Sequence, residues 1–254
     1  ARICDITQVT RSYPLVSTKV EESGEYVLFA TGELQLDCAM HDLTHVFSTI
    51  DVKVATPVVR FTETVQEKSS LLCFAETPNK ANRLAMTAES GLLRVDGDPQ
   101  RFESCLREKF GWDRLAVRSF WAFGPETQGA NVLLDDTLPG EVDKALLGDV
   151  RNSVVQGFRW ACREGPLCEE PLRNVKFKIL DASLAASPVH RGGGQIIPTA
   201  RRVAYSSFLL ASPRLMEPFY QLEIQVPPDL VNTCEEVLSR RRGFVRQVGL
   251  RGRS

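Results

Sequence analysis

The sequence lacks any long hydrophobic run. Although 43% of its 254 residues are hydrophobic, no stretch approaches the roughly 20 apolar residues that span a bilayer. The first ten residues, ARICDITQVT, do not have the charged and apolar regions of a signal peptide. The sequence therefore predicts neither a membrane span nor a membrane partner. An initiator methionine is also missing, which indicates an internal fragment or a trimmed chain.

An excess of charge of one sign is missing as well. The formal net charge is −1, and this excludes a protein that binds polyanions over its whole surface. Basic residues are concentrated only after Arg240, where RRRGFVRQVGLRGRS contains no acid. Such a tail is a solvated end, a nucleic-acid contact or a sequence artefact, and it is therefore no evidence for RNA binding.

Paired cysteines with metal-ligand spacing are absent. The seven cysteines are odd in number and contain no CxxC pair, which favours reduced thiols in the cytosol or nucleus and no zinc site. His41 and His45 have the HxxxH spacing of zinc proteases, but Asp42 replaces the glutamate and His190 is the only other histidine. We interpret the pair as surface histidines on an amphipathic helix, and we predict no metal.

A catalytic constellation is likewise absent. Asn79–Asn82 (NKAN) resembles a guanine-binding NKxD motif without its aspartate, and no phosphate-binding P-loop precedes it. We therefore predict a polar turn there. EGPLCEE at 164–170 has no histidine nearby to activate a thiol, so we predict a surface loop. The tryptophans are expected to be core or strand anchors, because none lies in a basic run; they are Trp112, Trp121 and Trp160.

One segment does carry a distinctive pattern, HRGGGQIIPTARR at His190–Arg202. Gly192, Gly193 and Gly194 have access to backbone angles closed to other residues, and Pro198 is expected to begin a helix. These features predict a loop that presents N–H groups and a positive helix end to an anion. A glycine-rich turn without a ligand is an equally good interpretation of the spacing alone.

Short β-prone runs and helical spacings alternate along the chain without repeats. Breaks at Pro57 and Pro218 suggest one complete α+β domain between two partial modules. The predicted strands are 18–20, 26–30, 52–55, a segment around Phe120, 175–180, 220–226 and 244–248, with a strand-rich stretch at 58–86 broken by a turn at 78–80. The predicted helices are 32–47, 100–110, 141–161, 199–211 and 229–239.

Whole segments of the sequence strongly resemble translation elongation factor 2 and its relatives. They are PVVRFTETV, CFAETPNKANRLAM, SFWAFGP, SVVQGFRWACREGPLCEE, HRGGGQIIPTARR and SPRLMEPFYQLEIQ, which run from Pro57 to Gln225. Three phrases are most similar to the spliceosomal branch of this superfamily, the GTPase of the U5 small nuclear ribonucleoprotein. They are TGELQLDCAMHDL, LLDDTLPGEVDKALLGDV and EEPLRNVKFKILDA.

The resemblance implies a fold and three domains. The expected class is α+β, with a ribosomal-protein-S5-like domain IV between partial ferredoxin-like domains III and V. Residues 1–56 would be the end of domain III, 57–216 domain IV and 217–254 the truncated start of domain V. The GTP-binding domain would lie upstream, so the chain alone is expected to be inactive and to hold no cofactor, whereas the full-length relative uses GTP and Mg²⁺.

The resemblance also implies a site and partners. Two loops at the tip of domain IV would contact RNA or protein; their residues are Pro78, Asn79, Lys80, His190, Arg191, Gly192, Gly193 and Gly194. The expected role is a binding and regulatory one in pre-mRNA splicing in the nucleus, with no small-molecule substrate. The implied partners are the large U5 scaffold protein, the U5 helicase and U5 small nuclear RNA.

Two alternatives stay open at this point. In elongation factor 2, the histidine that matches His190 is converted to diphthamide and the same domain drives ribosomal translocation. Ser187, Pro188 and Val189 replace the run that usually precedes the modified histidine. Because the spliceosomal branch is not known for the modification, we predict that His190 is unmodified. The second alternative is a free-standing nucleic-acid-binding module.

Overall fold

The computed structural model describes residues 3–21, 23–48, 52–91, 117–127 and 129–249. The chain divides into two compact units, Ala1–Val58 and Val59–Ser254. The mixture of helices and sheets agrees with the predicted α+β class. The domain limits 1–56, 57–216 and 217–254, and the ferredoxin-like character of the flanking modules, stay predictions.

The first unit consists of two helices and a β-hairpin. Helix α1 is Ile3–Ser12, strands β1 and β2 are Ser17–Val20 and Tyr26–Phe29, and helix α2 is Glu33–Asp42. The hairpin turn contains Gly24 at φ 83°, a left-handed conformation that glycine adopts without a steric penalty. A π-helical turn, Leu43–Phe47, extends α2. The core of this unit contains Ile6, Val9, Val16, Ala39 and Leu43.

The second unit is built on a five-stranded sheet with strand order β4-β5-β8-β7-β6. Its strands are β4 Cys73–Glu76, β5 Arg83–Ser90, β6 Phe120–Gly124, β7 Asn131–Asp135 and β8 Val175–Ser183. Neighbouring strands are antiparallel, except that β7 and β8 run parallel. Strands β3, Thr62–Val65, and β9, Pro213–Met216, form a separate antiparallel pair.

Two long helices contribute to the core beside this sheet. Helix α3 is Lys144–Arg163 and helix α4 is Gly193–Leu209. The Asp143 side chain caps α3 by accepting hydrogen bonds from the N–H groups of its first turn, which otherwise have no partner within the helix. Buried residues of both helices join one cluster with the alternate residues of β5 and β8, including Phe158, Val203, Met86 and Phe177.

The close approach of α3 and α4 depends on one glycine. A Cβ atom placed on Gly157 would lie 2.5 Å from the main-chain oxygen of Ile197 and 2.8 Å from the Cβ of Ala200. Both distances are shorter than van der Waals contact, so only glycine lets the helix backbones come this close. The α4 end that carries the predicted tip loop is thereby held against α3.

Three predicted strands are not formed. Residues 52–55, 220–226 and 244–248 have no regular structure. Their alternating apolar side chains favour strands, but no described strand pairs with them, and an unpaired strand is not stable. Phe219, Tyr220 and Phe244 are accordingly exposed.

The predicted helix at 229–239 is formed as α5, Val231–Arg240, which follows a 3₁₀ turn at Pro228–Leu230 and has no buried residue. The predicted helix at 100–110 lies outside the described residues.

Candidate functional site

The structure brings the two predicted tip loops together through one carbonyl group. Asn79 and Asn82 each donate a side-chain hydrogen bond of 2.8 Å to the main-chain oxygen of His190. Asn82 is buried and also accepts a hydrogen bond of 2.9 Å from the N–H of Ala185. The β4–β5 turn and the segment before α4 are therefore held in register by polar side chains. We call this arrangement the two-loop tip, residues 77–82 and 185–192.

The first loop is a tight polar turn, as its sequence predicts. The N–H of Lys80 donates to the oxygen of Thr77 at 2.8 Å, and the N–H of Ala81 donates to Oδ1 of Asn79 at 3.1 Å. Lys80 has a φ of 55°, a left-handed conformation that strains a residue with a side chain. The turn leaves Pro78, Asn79 and Lys80 exposed at its end.

The second loop differs from the prediction. A 3₁₀ turn spans Pro188–Arg191, and α4 begins at Gly193 rather than at Pro198, which lies inside the helix. Gly193 and Gly194 are therefore helical, and Gly192 is the N-cap with φ −62° and ψ 155°. Among the described glycines only Gly24 has a positive φ. The three glycines therefore do not adopt backbone angles closed to other residues, as the sequence suggested, but they lie at the start of a helix, where N–H groups have no partner within the helix.

Steric crowding does not explain these glycines either. A Cβ atom on Gly192 or Gly194 would meet no atom within 4 Å, and one on Gly193 would lie in ordinary contact with Ser153. The helix was expected to start at Pro198 because proline suits the first helical position. The N–H groups of Gln195 and Ile196 instead bond to the oxygen of Gly192, which starts the helix earlier.

Arg191 belongs to the interior of the tip. Its guanidinium forms an ion pair with Asp149 of α3 at 2.6 Å and donates to the oxygens of Ala185 and Ala186 at 3.3 and 3.1 Å. Its side chain is only 12% exposed. Arg191 therefore positions the loop, whereas the neighbouring side chains of Val189 and His190 are exposed.

Sequence reasoning missed the residues that hold the tip. Asn82 was considered only for the aspartate it replaces, and Asp149, the one acidic residue within α3, was not singled out. Their partners lie 108 and 42 positions away in the chain, so no local pattern identifies them. The one available signal was the concentration of asparagines in a short turn, because such side chains bond readily to nearby main-chain groups.

The loop at 164–170 was interpreted as a surface loop, but a buried carboxylate organises it. Glu63 is fully buried, and its carboxylate accepts hydrogen bonds from the N–H groups of Leu167, Cys168 and Glu170 at 3.1, 2.8 and 3.2 Å. These bonds satisfy a charge that would otherwise be costly to bury. The loop carries an exposed thiol, Cys168.

The cysteine of the preceding helix has a different environment. Cys162 is fully buried, and burial raises the pKa of its thiol well above the ordinary value. This environment suppresses the thiolate, the nucleophilic form of cysteine. Cys162 and Cys73 are therefore core residues, but Cys38 and Cys168 are exposed and Cys234 is half-buried, so the expectation that the cysteines are mostly core residues does not hold for the described part of the chain.

Trp160 is not a core anchor. It is 42% exposed, and the Arg201 guanidinium lies 4.1 Å from its ring centroid. Arg201 also pairs with Glu164 at 3.2 Å, while the Tyr205 hydroxyl donates to the main-chain oxygen of Glu164. The group ties the end of α3 to α4. Trp121 is half-buried on β6, and Trp112 lies outside the described residues.

The HxxxH pair is stacked. The rings of His41 and His45 have centroids 4.4 Å apart with an interplanar angle of 14°. Asp42 instead accepts a hydrogen bond of 2.6 Å from the Tyr13 hydroxyl, and this bond holds the pKa of the Asp42 carboxyl below its ordinary value. Among the described residues, no group of three or more possible ligands is placed to hold a metal ion.

Part of the chain matches a known family. Residues 94–212 match the family model for elongation factor G, domain IV. That range contains the second loop of the two-loop tip, α3, α4 and strands β6 to β8.

Within the described part of the chain, no helix combines the length and hydrophobicity needed to cross a membrane.

Three similar relatives are spliceosomal by name. The chain is 57% identical over 251 residues to the 110 kDa U5 small nuclear ribonucleoprotein component CLO of Arabidopsis thaliana. The aligned region covers 94% of this chain and 25% of the relative. It is also 57% identical over 251 residues to the 109 kDa U5 component GFL of the same plant, covering 94% and 26%. Pre-mRNA-splicing factor cwf10 of Schizosaccharomyces pombe is 48% identical over 253 residues, covering 95% and 26%.

The chain thus spans about a quarter of the length of these curated relatives. The match to domain IV of elongation factor G and the similarity of nearly the whole chain to U5 components indicate the same superfamily. The chain belongs to the elongation factor G and elongation factor 2 superfamily, and nearly its whole length corresponds to a part of the U5 components and of the splicing factor named above.

Proposed function

We propose that this chain is the domain-IV-containing part of a U5 small nuclear ribonucleoprotein GTPase, with a binding and regulatory role in nuclear pre-mRNA splicing. The identity of 57% to two U5 components, each across 94% of the chain, supports the assignment to splicing. GTP and Mg²⁺ would be bound by a domain outside this chain. The chain itself would transmit the nucleotide state by contact with partners.

The two-loop tip is the proposed contact site. The observation that carries this proposal is the double hydrogen bond from Asn79 and Asn82 to the oxygen of His190. It fixes two segments into one shape while the side chains of Lys80 and His190 remain exposed. A fixed exposed tip suits recognition because little conformational entropy is lost on binding.

The division of roles within the site follows from burial. Pro78, Lys80 and His190 would face the partner, whereas Arg191 and Asn82 would hold the loops in place. Gly192 to Gly194 leave the start of α4 without side chains, so a partner can approach its backbone closely. The proposed partners are the large U5 scaffold protein, the U5 helicase and U5 small nuclear RNA.

Co-purification of the full-length protein from nuclear extract tests the assignment. Recovery with U5 RNA, and with His190 unmodified by intact-peptide mass spectrometry, would support it. Recovery with ribosomes and without U5 RNA, or a diphthamide mass on His190, would overturn it in favour of a ribosomal translocase.

A further inference from the structure

One serine of the two-loop tip has an accessible hydroxyl group. Ser187 is exposed, and it precedes the 3₁₀ turn Pro188–Arg191 without capping it by a side-chain hydrogen bond. Within the described part of the chain, the Ser187 hydroxyl has no hydrogen-bond partner. The backbone at Ser187 is extended, with φ −76° and ψ 125°. An exposed serine in an extended loop segment is accessible to an enzyme that modifies proteins.

The residues around Ser187 fit one class of protein kinase. The five residues before it, ASLAA, contain no lysine or arginine, and the five after it, PVHRG, contain no acid. Kinases that select a serine by cations before it or acids after it therefore have nothing to bind. Pro188 follows directly, and its rigid ring lacks an N–H group. A kinase with an apolar pocket at this position, a proline-directed kinase, recognises such a residue.

Three other Ser-Pro or Thr-Pro dipeptides occur in the sequence, and the structure makes two of their hydroxyls inaccessible. Thr77 is 2% exposed, and its hydroxyl donates to Oδ1 of Asn79. Ser212 is half-buried with a left-handed φ of 54°, and its hydroxyl donates to Glu67 at 3.1 Å. Thr56, the third, is exposed in a segment without regular structure, so it serves below as a reference.

We propose that Ser187 is a phosphorylation site for a proline-directed protein kinase. In this reaction the γ-phosphoryl group of ATP is transferred to Oγ of Ser187. The bond between the γ-phosphorus and the oxygen shared with the β-phosphate breaks, and the Oγ–phosphorus bond forms. The hydroxyl proton passes to the catalytic carboxylate of the kinase, and ADP leaves with Mg²⁺.

A phosphate at Ser187 would change the charge of the two-loop tip. Phosphoserine carries a charge of about −1.5 to −2 at pH 7. Arg191 lies next to this position, because its guanidinium donates to the oxygens of Ala185 and Ala186, and Lys80 is exposed on the facing loop. The exposed end of the tip would thus become more negative by about two charges. Its effect on a partner rests on the proposed contact site, whereas the modification itself does not.

Phosphorylation of the full-length protein in vitro tests the proposal, with ATP, a purified proline-directed kinase and peptide mass spectrometry. We expect Ser187 to be modified at least about 10-fold faster than Thr77 and Ser212, since their hydroxyls become accessible only through local unfolding. Pro188→Ala keeps the serine but removes the ring that the kinase binds. It should slow the reaction at Ser187 by about 10-fold or more and leave Thr56 unchanged.

Two controls make each outcome decisive. A peptide of residues 182–192 verifies that the kinase accepts this sequence, and Ser187→Ala verifies the assignment of the phosphopeptide. If the kinase modifies the peptide but not Ser187 of the folded protein, the proposal is wrong. Equal rates at Ser187 in the parent and Pro188→Ala proteins would also overturn it, as would equally fast modification by a kinase that requires arginine before the serine.

The same reaction on purified U5 particles distinguishes this proposal from the proposed contact site. If a partner covers the two-loop tip, Ser187 should be modified more slowly in the particle than in the free protein. Equal rates in the particle and the free protein would overturn the contact site and leave the modification site unaffected.

Discussion

Asn82 donates a 2.8 Å hydrogen bond to the main-chain oxygen of His190, 108 positions further along the chain. The same amide nitrogen lies 3.2 Å from the Thr77 hydroxyl, and the amide oxygen accepts from the N–H of Ala185. One buried side chain thus joins the β4–β5 turn to the segment before α4. The shape of the proposed contact site depends on it.

Substitution of Asn82 should therefore destabilise the tip. We expect Asn82→Ala to lower the free energy of unfolding by about 1–2 kcal/mol, because the N–H of Ala185 loses its acceptor and the oxygen of His190 keeps only the hydrogen bond from Asn79. Urea unfolding of the chain measures this. Asn152→Ala, at an exposed position of α3, should change it by less than about 0.5 kcal/mol. Equal effects of the two substitutions would show that the Asn82 bonds do not organise the tip.

The helix pair offers a matched test with two glycines. A Cβ on Gly157 overlaps the Ile197 oxygen and Ala200, while one on Gly148 of the same helix meets nothing within 4 Å. Gly157→Ala should destabilise by about 1–3 kcal/mol through overpacking. Gly148→Ala should stabilise by about 0.5–1 kcal/mol, since alanine favours the helix. Thermal unfolding of both variants checks the opposite signs, and stabilisation by both would contradict the close helix approach.

The stability of the chain should also depend on the buried Glu63 carboxylate. Glu63→Gln replaces one acceptor oxygen by a donor that faces main-chain N–H groups, and we expect a loss of about 2–3 kcal/mol. Limited proteolysis at 164–170 should become faster. Glu235→Gln, an exposed substitution on α5, provides the control. A protected loop in Glu63→Gln would mean that the carboxylate does not organise it.

Glu89 should give the second unit an acid-dependent contribution to stability. Although burial raises the pKa of its carboxyl, bonds from Lys176 and Lys178 outweigh this effect and hold it below the ordinary 4.5. Because the unfolded chain then binds the proton more tightly, the contribution of Glu89 is present above about pH 4.5 and is lost as pH falls through the folded pKa.

The free-energy difference between the parent chain and Glu89→Gln should follow that dependence. It should be about 1 kcal/mol at pH 7 and should shrink as the pH falls below 4.5, the ordinary pKa of the Glu89 carboxyl. Urea unfolding at a series of pH values measures it. A difference that grows on acidification would contradict the lowered pKa.

Cysteine labelling tests the burial of the thiols. With its pKa raised by burial, Cys162 should not react with iodoacetamide in the native chain at pH 8, whereas exposed Cys168 should react. Both should react after unfolding in urea, as measured by peptide mass spectrometry. Native labelling of Cys162 at the rate of Cys168 would contradict the core described for α3.

Elements that depend mainly on neighbouring residues in the sequence were predicted correctly. The β-prone runs at 18–20 and 26–30 predicted the two strands of the first hairpin, and apolar spacing predicted α3 to within a few residues. The strand at 220–226 failed because alternation creates a strand only where a partner is present. The predicted start of α4 was wrong because proline favours the first turn of a helix, so Pro198 was expected there. The helix begins five residues earlier, at Gly193.

The site was predictable only in outline. The resemblance identified both tip loops, but the division between Lys80, which is exposed, and Arg191, which is paired with Asp149, depends on contacts distant in sequence. The contact between the Arg83 guanidinium and the Phe74 ring, 4.1 Å from its centroid, depends on strand register, which a single sequence does not define. Contacts between residues of separate elements could therefore be identified only from the structure.

Chemical footprinting of the two-loop tip in the assembled particle tests the central claim most directly. The full-length protein would be modified at lysine and histidine residues, free and within purified U5 particles, and the modified peptides compared. The proposed contact site predicts that Lys80 and His190 lose reactivity on assembly, while exposed Lys68, which precedes β4 in the chain, serves as the internal reference. Unchanged reactivity of both Lys80 and His190 in the assembled particle would contradict it.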